Sequence, residues 1–460
     1  MSGWLLMGLP GAVYLAGTGE AWIAVGLLIG TILNWYIVSA RLRKYTIVAG
    51  NSLTIPSFFK NRYRDHKNII KIVSASIIAV FFTVYTASAK LFATLFSDSA
   101  SGDENYNRVY VIGLIVAAVV ILVYTFMGGF KAVCTTDLIQ GLMMIVAILS
   151  VPVLAYAILT FDTSFSSALA AKGVEQPAQF LNFFVNGDGT PVSAVSIISN
   201  LAWGLGYFGM PHILVRFMAV KSNEEIKKSR KIAVVWVIIS LTASCLIGLI
   251  ARGYLTAQLD NATSESVFIR TIQQLFSGNG VLIFIGGIFL CGILAAIMST
   301  ADSQLLVTAS AVSGDLYKGA VKKNASEKSS LLVGKIAVAV VAVIAFFIAL
   351  NPKSSIMGLV SDAWAGFGSA FGPVVLLALF WKRSTLSGAI SGMATGALTV
   401  IIWDYIPLVN GQTLYAATNL YSLVVGFGLA LIVNVIVSLI SKKPSKEIMD
   451  EFDSIKNIEV

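Results

Sequence analysis

Ser299 and Thr300 put two hydroxyls within one helical turn, just after Ala296. A small hard cation is satisfied by several converging neutral oxygens at about 2.3–2.5 Å, so a hydroxyl pair beside freed carbonyls could hold one. The same hydroxyls could instead bond back to carbonyls one turn earlier, a common habit of Ser and Thr in apolar helices. Spacing alone leaves both readings open. Trp203, Tyr207 and Pro211 are spaced by four and share one helix face. Such aromatics serve as a ligand wall or as ordinary packing. Tyr124 ends an apolar run before Gly128-Gly129. Asp137, Asp302 and Asp362 interrupt or border apolar stretches. An ionised side chain within an apolar span is costly and marks an ion or solute path by default, although a solvated helix-end charge is an equal alternative for Asp302 and Asp362.

The elements that would carry these residues are read from composition. Of 460 residues, 57% are hydrophobic and 12% charged, with a mean hydropathy of +0.83. A soluble domain carries roughly 25% charged residues, so this chain cannot cover itself with polar groups. Apolar runs at 20–40, 69–96, 108–128, 136–160, 192–214, 231–256, 277–312, 331–350, 355–381, 385–407 and 415–441 reach bilayer length. They give eleven full spans. A shorter run, 1–16, contains Gly3, Gly8, Pro10 and Gly11 and covers only about 24 Å of the hydrocarbon core. The expectation is an all-α polytopic membrane domain over 1–441, eleven spans plus an N-terminal half-span, and a charged tail over 442–460.

The net charge of +9 is distributed in blocks between apolar runs, which points to loops at a membrane and not to nucleic acid. The stretch Arg41 to Lys71 holds eight basic residues against one acid, Asp65. Further blocks follow at Lys221–Lys231, Lys318–Lys328, Lys382-Arg383 and Lys442-Lys443. Every second loop is basic, so these loops and the C-terminus are expected to be cytoplasmic. Residues 52–63 are amphipathic and are expected along the inner interface. Cys134, Cys245 and Cys291 lack metal or redox spacing and read as small packing residues, and two histidines leave little room for a metal enzyme. No basic region precedes residues 1–17, so no cleavable signal peptide is expected.

Trp4 is followed by Gly8-Leu9-Pro10, and Trp203 by Gly209-Met210-Pro211. Five segments separate the two, so they run in opposite directions. Interrupted helices at matching places in inverted halves mark the substrate site of many secondary transporters.

The runs Met1–Pro10, Trp203–Leu214, Ile293–Thr300 and Ala363–Gly368 resemble the sodium:solute symporter family, and Trp203–Leu214 its proline branch. The resemblance extends from residue 1 to about 443. It implies a leucine-transporter-like core of five-plus-five inverted-repeat helices with additional C-terminal helices. It also implies a bacterial inner-membrane protein that couples sodium influx to L-proline uptake, with lipid as its surroundings, sodium as the coupling ion, no other cofactor, no enzymatic activity and no obligate protein partner. Sodium would be held by the carbonyls of Met1 and Ala296 and the hydroxyls of Ser299 and Thr300. The solute would meet Ser2, Gly3, Tyr124, Trp203, Tyr207 and Pro211. Asp137 matches a carboxylate on the inward sodium release route, although Thr135 stands where a tryptophan is common. In the family an aspartate directly precedes the position of Met1, so the first core helix is expected to be only half present and residues 1–460 alone to be transport-inactive, while sodium-coupled proline uptake is expected of the complete chain. Another small zwitterionic solute, or a non-transporting membrane chain, are the alternatives. No kinase, nucleotide or DNA-binding motif supplies an output for a sensor.

Overall fold

The computed structural model describes residues 3–88, 104–127, 130–322, 324–350, 355–455 and 458. Among these, nine helical stretches are long and apolar enough to cross a bilayer, with two shorter apolar helices, Arg108–Val123 and Ala194–Phe208. A bilayer leaves no other partner for backbone N–H and C=O groups, so helices dominate. Val153, Ile232, Phe284 and Phe347 are 66%, 68%, 71% and 65% exposed, as side chains facing lipid tails would be.

Packing pairs fix the relative directions of two pairs of segments. Leu5 and Pro10 meet Ser244 and Gly248 in the same order, so Gly3–Ala16 runs parallel to the Asn223–Tyr254 helix. Gly26, Gly30 and Asn34 meet Leu201, Gly204 and Tyr207, so 22–48 runs parallel to 194–218. The segments 194–218 and 223–254 are consecutive and oppositely directed. The chain therefore reverses between Ala16 and Trp22, at Gly17, whose φ of 79° suits glycine and ends the helix. The first five segments, ending at Leu159, and the next five, ending at Phe380, form the inverted pair of the leucine-transporter-type fold. Leu386–Tyr405 and Ser422–Ile440 follow.

The Ile356–Phe380 helix is the most enclosed, with 83% of its most apolar window buried. It lies against the 203–209 segment, where Gly206 meets Trp364 and Gly209 meets Phe367 and Gly368. Small residues let these backbones approach without a side chain between them. On the basic side, Ile55–Arg62 forms the expected amphipathic helix, but it is packed into protein: Phe58, Phe59 and Arg62 are fully buried. The Arg62 side chain donates to Ala378 O at 3.0 Å, and its charge lies over the rings of Tyr45, Tyr63 and Phe452. Phe452 belongs to a tail helix, Lys446–Ser454, which also pairs with Arg64 and Lys382. A buried ion pair, Lys71–Asp315 at 3.0 Å, ties the start of the Ile69–Ala87 helix to the end of the long helix that carries Ser299.

Gly30→Val places a branched side chain against the Gly204 backbone, whereas Gly428 has open space around its Cβ position. The expected outcome is a destabilisation of about 1–3 kcal/mol for Gly30→Val, read as a lower thermal midpoint in detergent, and no comparable loss for Gly428→Val.

Candidate solute and ion site

Two helices are interrupted at the same depth. In the second repeat, Ala194–Ala202 tightens into the 3-10 turn Trp203–Phe208, and Pro211–Met218 begins afresh after Gly209-Met210. Pro211 occupies the first helical position, where its missing N–H costs nothing. The interruption frees carbonyls from the helix ladder, and side chains from neighbouring helices satisfy them. The Trp364 indole N–H donates to Trp203 O at 2.7 Å, and the Asn34 amide donates to Tyr207 O at 3.1 Å.

In the first repeat, Gly3–Leu6 and Gly8–Ala16 are separated at Met7, whose φ of −129° is not helical. The Ser244 hydroxyl, fully buried, donates to Leu5 O at 2.6 Å. Trp4 stacks on Trp203 with ring centroids 5.0 Å apart, and its N–H points at the Met357 sulfur. Trp203 in turn stacks on Tyr421 at 5.4 Å. The three rings form one continuous stack.

Beneath them is a cavity of about 450 Å³. Trp203, Tyr207, Ser299, Thr300 and Asp137 all line it, although they come from three separate regions of the chain. Ala296 is fully buried on the same face as the hydroxyl pair. Its carbonyl accepts from Ser299 at 3.1 Å and from Thr300 at 3.2 Å. This is the back-bonded arrangement, yet it does not exclude a cation: a hydroxyl that donates its proton still presents lone pairs. Gly3 lines a small adjoining polar cavity with Thr300, Tyr85 and Gln304. Tyr124 lies on the Glu104–Met127 helix, but its side chain, like Met1 and Ser2, lies outside the described residues. Pro211 is buried at its helix start and does not line the cavity.

Asp137 sits at the mouth on the basic-loop side. Arg216 binds it at 2.6 Å and also donates to Ser303 Oγ at 2.9 Å, and Ser303 bonds back to Ser299 O. A polar line thus runs from the mouth to the hydroxyl face. The Arg216 side chain is 44% exposed, so the cavity meets solvent there. Asp302 is fully buried, so it is not a solvated helix-end charge. Asp362 accepts a hydrogen bond from Tyr405 near the opposite end of its helix.

Sequence reasoning did not single out Arg216, Tyr85, His212 or Trp364, all of which line the cavity. Arg216 carried a usable signal, a cation just inside an apolar span. Trp364 lay within a quoted run, but its partner is a backbone carbonyl, which no side-chain pattern reveals.

Residues 1–396 match the sodium:solute symporter family. The sodium/proline symporter of Haemophilus influenzae is 43% identical over 98% of this chain and 87% of its own length. That of Staphylococcus aureus is 41% identical over 100% and 86%. Among solved structures, a sodium-coupled sialic acid symporter in a substrate-bound outward-open state superposes with a TM-score of 0.73 at 17% identity, covering 97% of this chain and 88% of that one. A nucleobase-cation-symport-1 family transporter in a closed conformation gives 0.51 at 12% identity, covering 99% and 93%. The match of family and fold along nearly the whole chain identifies this protein as a member of the sodium:solute symporter family, a multi-span sodium-coupled solute symporter.

Proposed function

We propose that this protein couples sodium influx to L-proline uptake by alternating access across a bacterial inner membrane. The observation that carries the reading is the meeting of Trp203 and Tyr207 with Ser299 and Thr300 at one cavity, in a chain 41–43% identical to relatives named for sodium and proline.

Proline is a zwitterion with an apolar ring. The rings of Trp203 and Tyr207 supply a wall for its apolar part and an electron-rich face for its ammonium. Ser2, Gly3 and Tyr124 complete the pocket, and Pro211 sets the start of the lower half-helix. Sodium takes the Ala296 and Met1 carbonyls with the Ser299 and Thr300 hydroxyls. The hydroxyl face and the aromatic wall lie on different helices of the second repeat, so filling one site biases the arrangement that forms the other.

Basic loops are read as cytoplasmic, so the mouth at Asp137 and Arg216 opens inward and the aromatic stack of Trp4, Trp203 and Tyr421 is the closed outer side. Asp137 offers the departing sodium its first carboxylate once Arg216 turns aside. The tail from residue 442 is then cytoplasmic, and 1–441 forms the membrane domain.

Proteoliposomes holding the protein together with any segment that precedes Met1, given an inward sodium gradient, are expected to accumulate radiolabelled proline, and to lose that accumulation when the gradient is absent. Equal uptake in both contradicts sodium coupling. Competition by other small zwitterions that exceeds competition by proline itself would move the substrate assignment.

Ser299→Ala and Thr300→Ala each remove an oxygen that would face an ion. The sodium concentration for half-maximal uptake is expected to rise about 10- to 100-fold, as for a lost charged hydrogen bond. Fold stability should change by only about 0.6 kcal/mol, the average for a membrane side-chain hydrogen bond. Wild-type sodium dependence in both variants returns the hydroxyls to simple back-bonding.

A further inference from the structure

Trp364 touches the unwound second helix at three consecutive features. Its indole N–H donates to Trp203 O at 2.7 Å. Its five-membered ring backs Gly206 so closely that a Cβ there would overlap the indole nitrogen. Its ring also meets Tyr207 edge to face, with centroids 5.1 Å apart and planes at 89°. The side chain is 6% exposed and what remains accessible lines the cavity. It projects from Ile356–Phe380, the most enclosed span, so its position is fixed by protein and not by lipid.

Each contact governs a different variable of the unwound segment. The hydrogen bond satisfies a carbonyl that a helix would have used internally. The glycine contact sets how near the two backbones lie. The edge-to-face contact fixes the plane of the Tyr207 ring. Without them, the segment keeps alternatives that differ in where Trp203 and Tyr207 point.

We propose that Trp364 is a positioning residue for solute recognition: from the neighbouring helix it holds the carbonyl of Trp203, the backbone at Gly206 and the ring of Tyr207 in the one arrangement that binds solute. This rests on the proline-symport reading for its transport readout alone. The hydrogen bond and the close contacts of Trp364 described above all fall on the aromatic wall, so solute and sodium requirements should separate when it is changed.

The test uses the protein together with any segment that precedes Met1, in proteoliposomes with radiolabelled proline and a fixed inward sodium gradient. Trp364→Phe keeps a ring but removes the N–H and the pyrrole edge. It should raise the proline concentration for half-maximal uptake about 5- to 10-fold, the worth of one buried hydrogen bond, with the sodium requirement shifting less than about twofold. Gly206→Ala should move the proline requirement the same way by pushing the indole from the other side. In the double variant the smaller ring leaves room for the methyl, so the combined effect should fall short of the product of the two. An unchanged proline requirement in Trp364→Phe, or independent multiplication in the double variant, overturns the proposal.

A second arm needs no solute. Hydrogen–deuterium exchange of purified Trp364→Phe, and of Gly206→Ala should the first variant fold poorly, should show faster exchange in peptides covering 203–209 and unchanged exchange in the Leu386–Tyr405 helix. If the wild-type protein takes up no proline, the proposed function fails, and this arm alone decides. Wild-type protection of 203–209 then overturns the positioning role.

Discussion

A backbone carbonyl freed inside a bilayer has no water to bind, and each one left bare costs several kcal/mol. That constraint organises this protein. Two helices are interrupted at mid-depth, and the interruptions persist because neighbouring side chains take over the hydrogen bonds: Trp364 on Trp203 O, Asn34 on Tyr207 O and Ser244 on Leu5 O. All three donors are substantially buried, so their bonds are not lost to competition with solvent. An unwound segment held this way is a defined shape and not a loose loop. It presents the aromatic side chains of Trp203 and Tyr207 to the cavity.

Glycine makes the same arrangement possible sterically. Gly26, Gly30, Gly204, Gly206 and Gly209 allow three backbones to approach at the second interruption. Dispersion, not hydrophobic exclusion, drives helix association among lipid tails, so close approach is itself the stabilising term. The donors and the glycines are therefore parts of one device. The first brings the chains' polar groups together, and the second gives them room to meet. The opposite face of the bundle is free of this demand and carries large exposed apolar residues such as Phe284 and Phe347.

How much of this could be read from the sequence varies with the physics involved. Spanning helices are legible because bilayer thickness sets a minimum apolar length, and the 203–211 interruption is legible because glycine and proline sit where a helix should continue. The hydroxyl pair at 299–300 is legible as a pattern but ambiguous in role, since its observed bonds to Ala296 O are those of any back-bonded pair. Asp302 could not be judged, because burial is decided by helices far away in sequence. Trp364 and Ser244 are illegible for a sharper reason: each recognises a main-chain oxygen, which leaves no residue-type signature in the partner. Arg216 was masked by the basic block that follows it, yet it is the residue that joins Asp137 to Ser303.

If the aromatic wall and the hydroxyl face are two halves of one coupled site, sodium and solute must strengthen each other's binding by the same factor. Trp4, Trp203 and Trp364 adjoin the cavity and give it an intrinsic fluorescent reporter. The decisive measurement is equilibrium titration of the purified protein by tryptophan fluorescence: proline with and without saturating sodium, and sodium with and without saturating proline. The account predicts that each ligand lowers the dissociation constant of the other, by equal factors of roughly 5–150, the usual range for coupled sites. Dissociation constants for proline that do not change with sodium would contradict it.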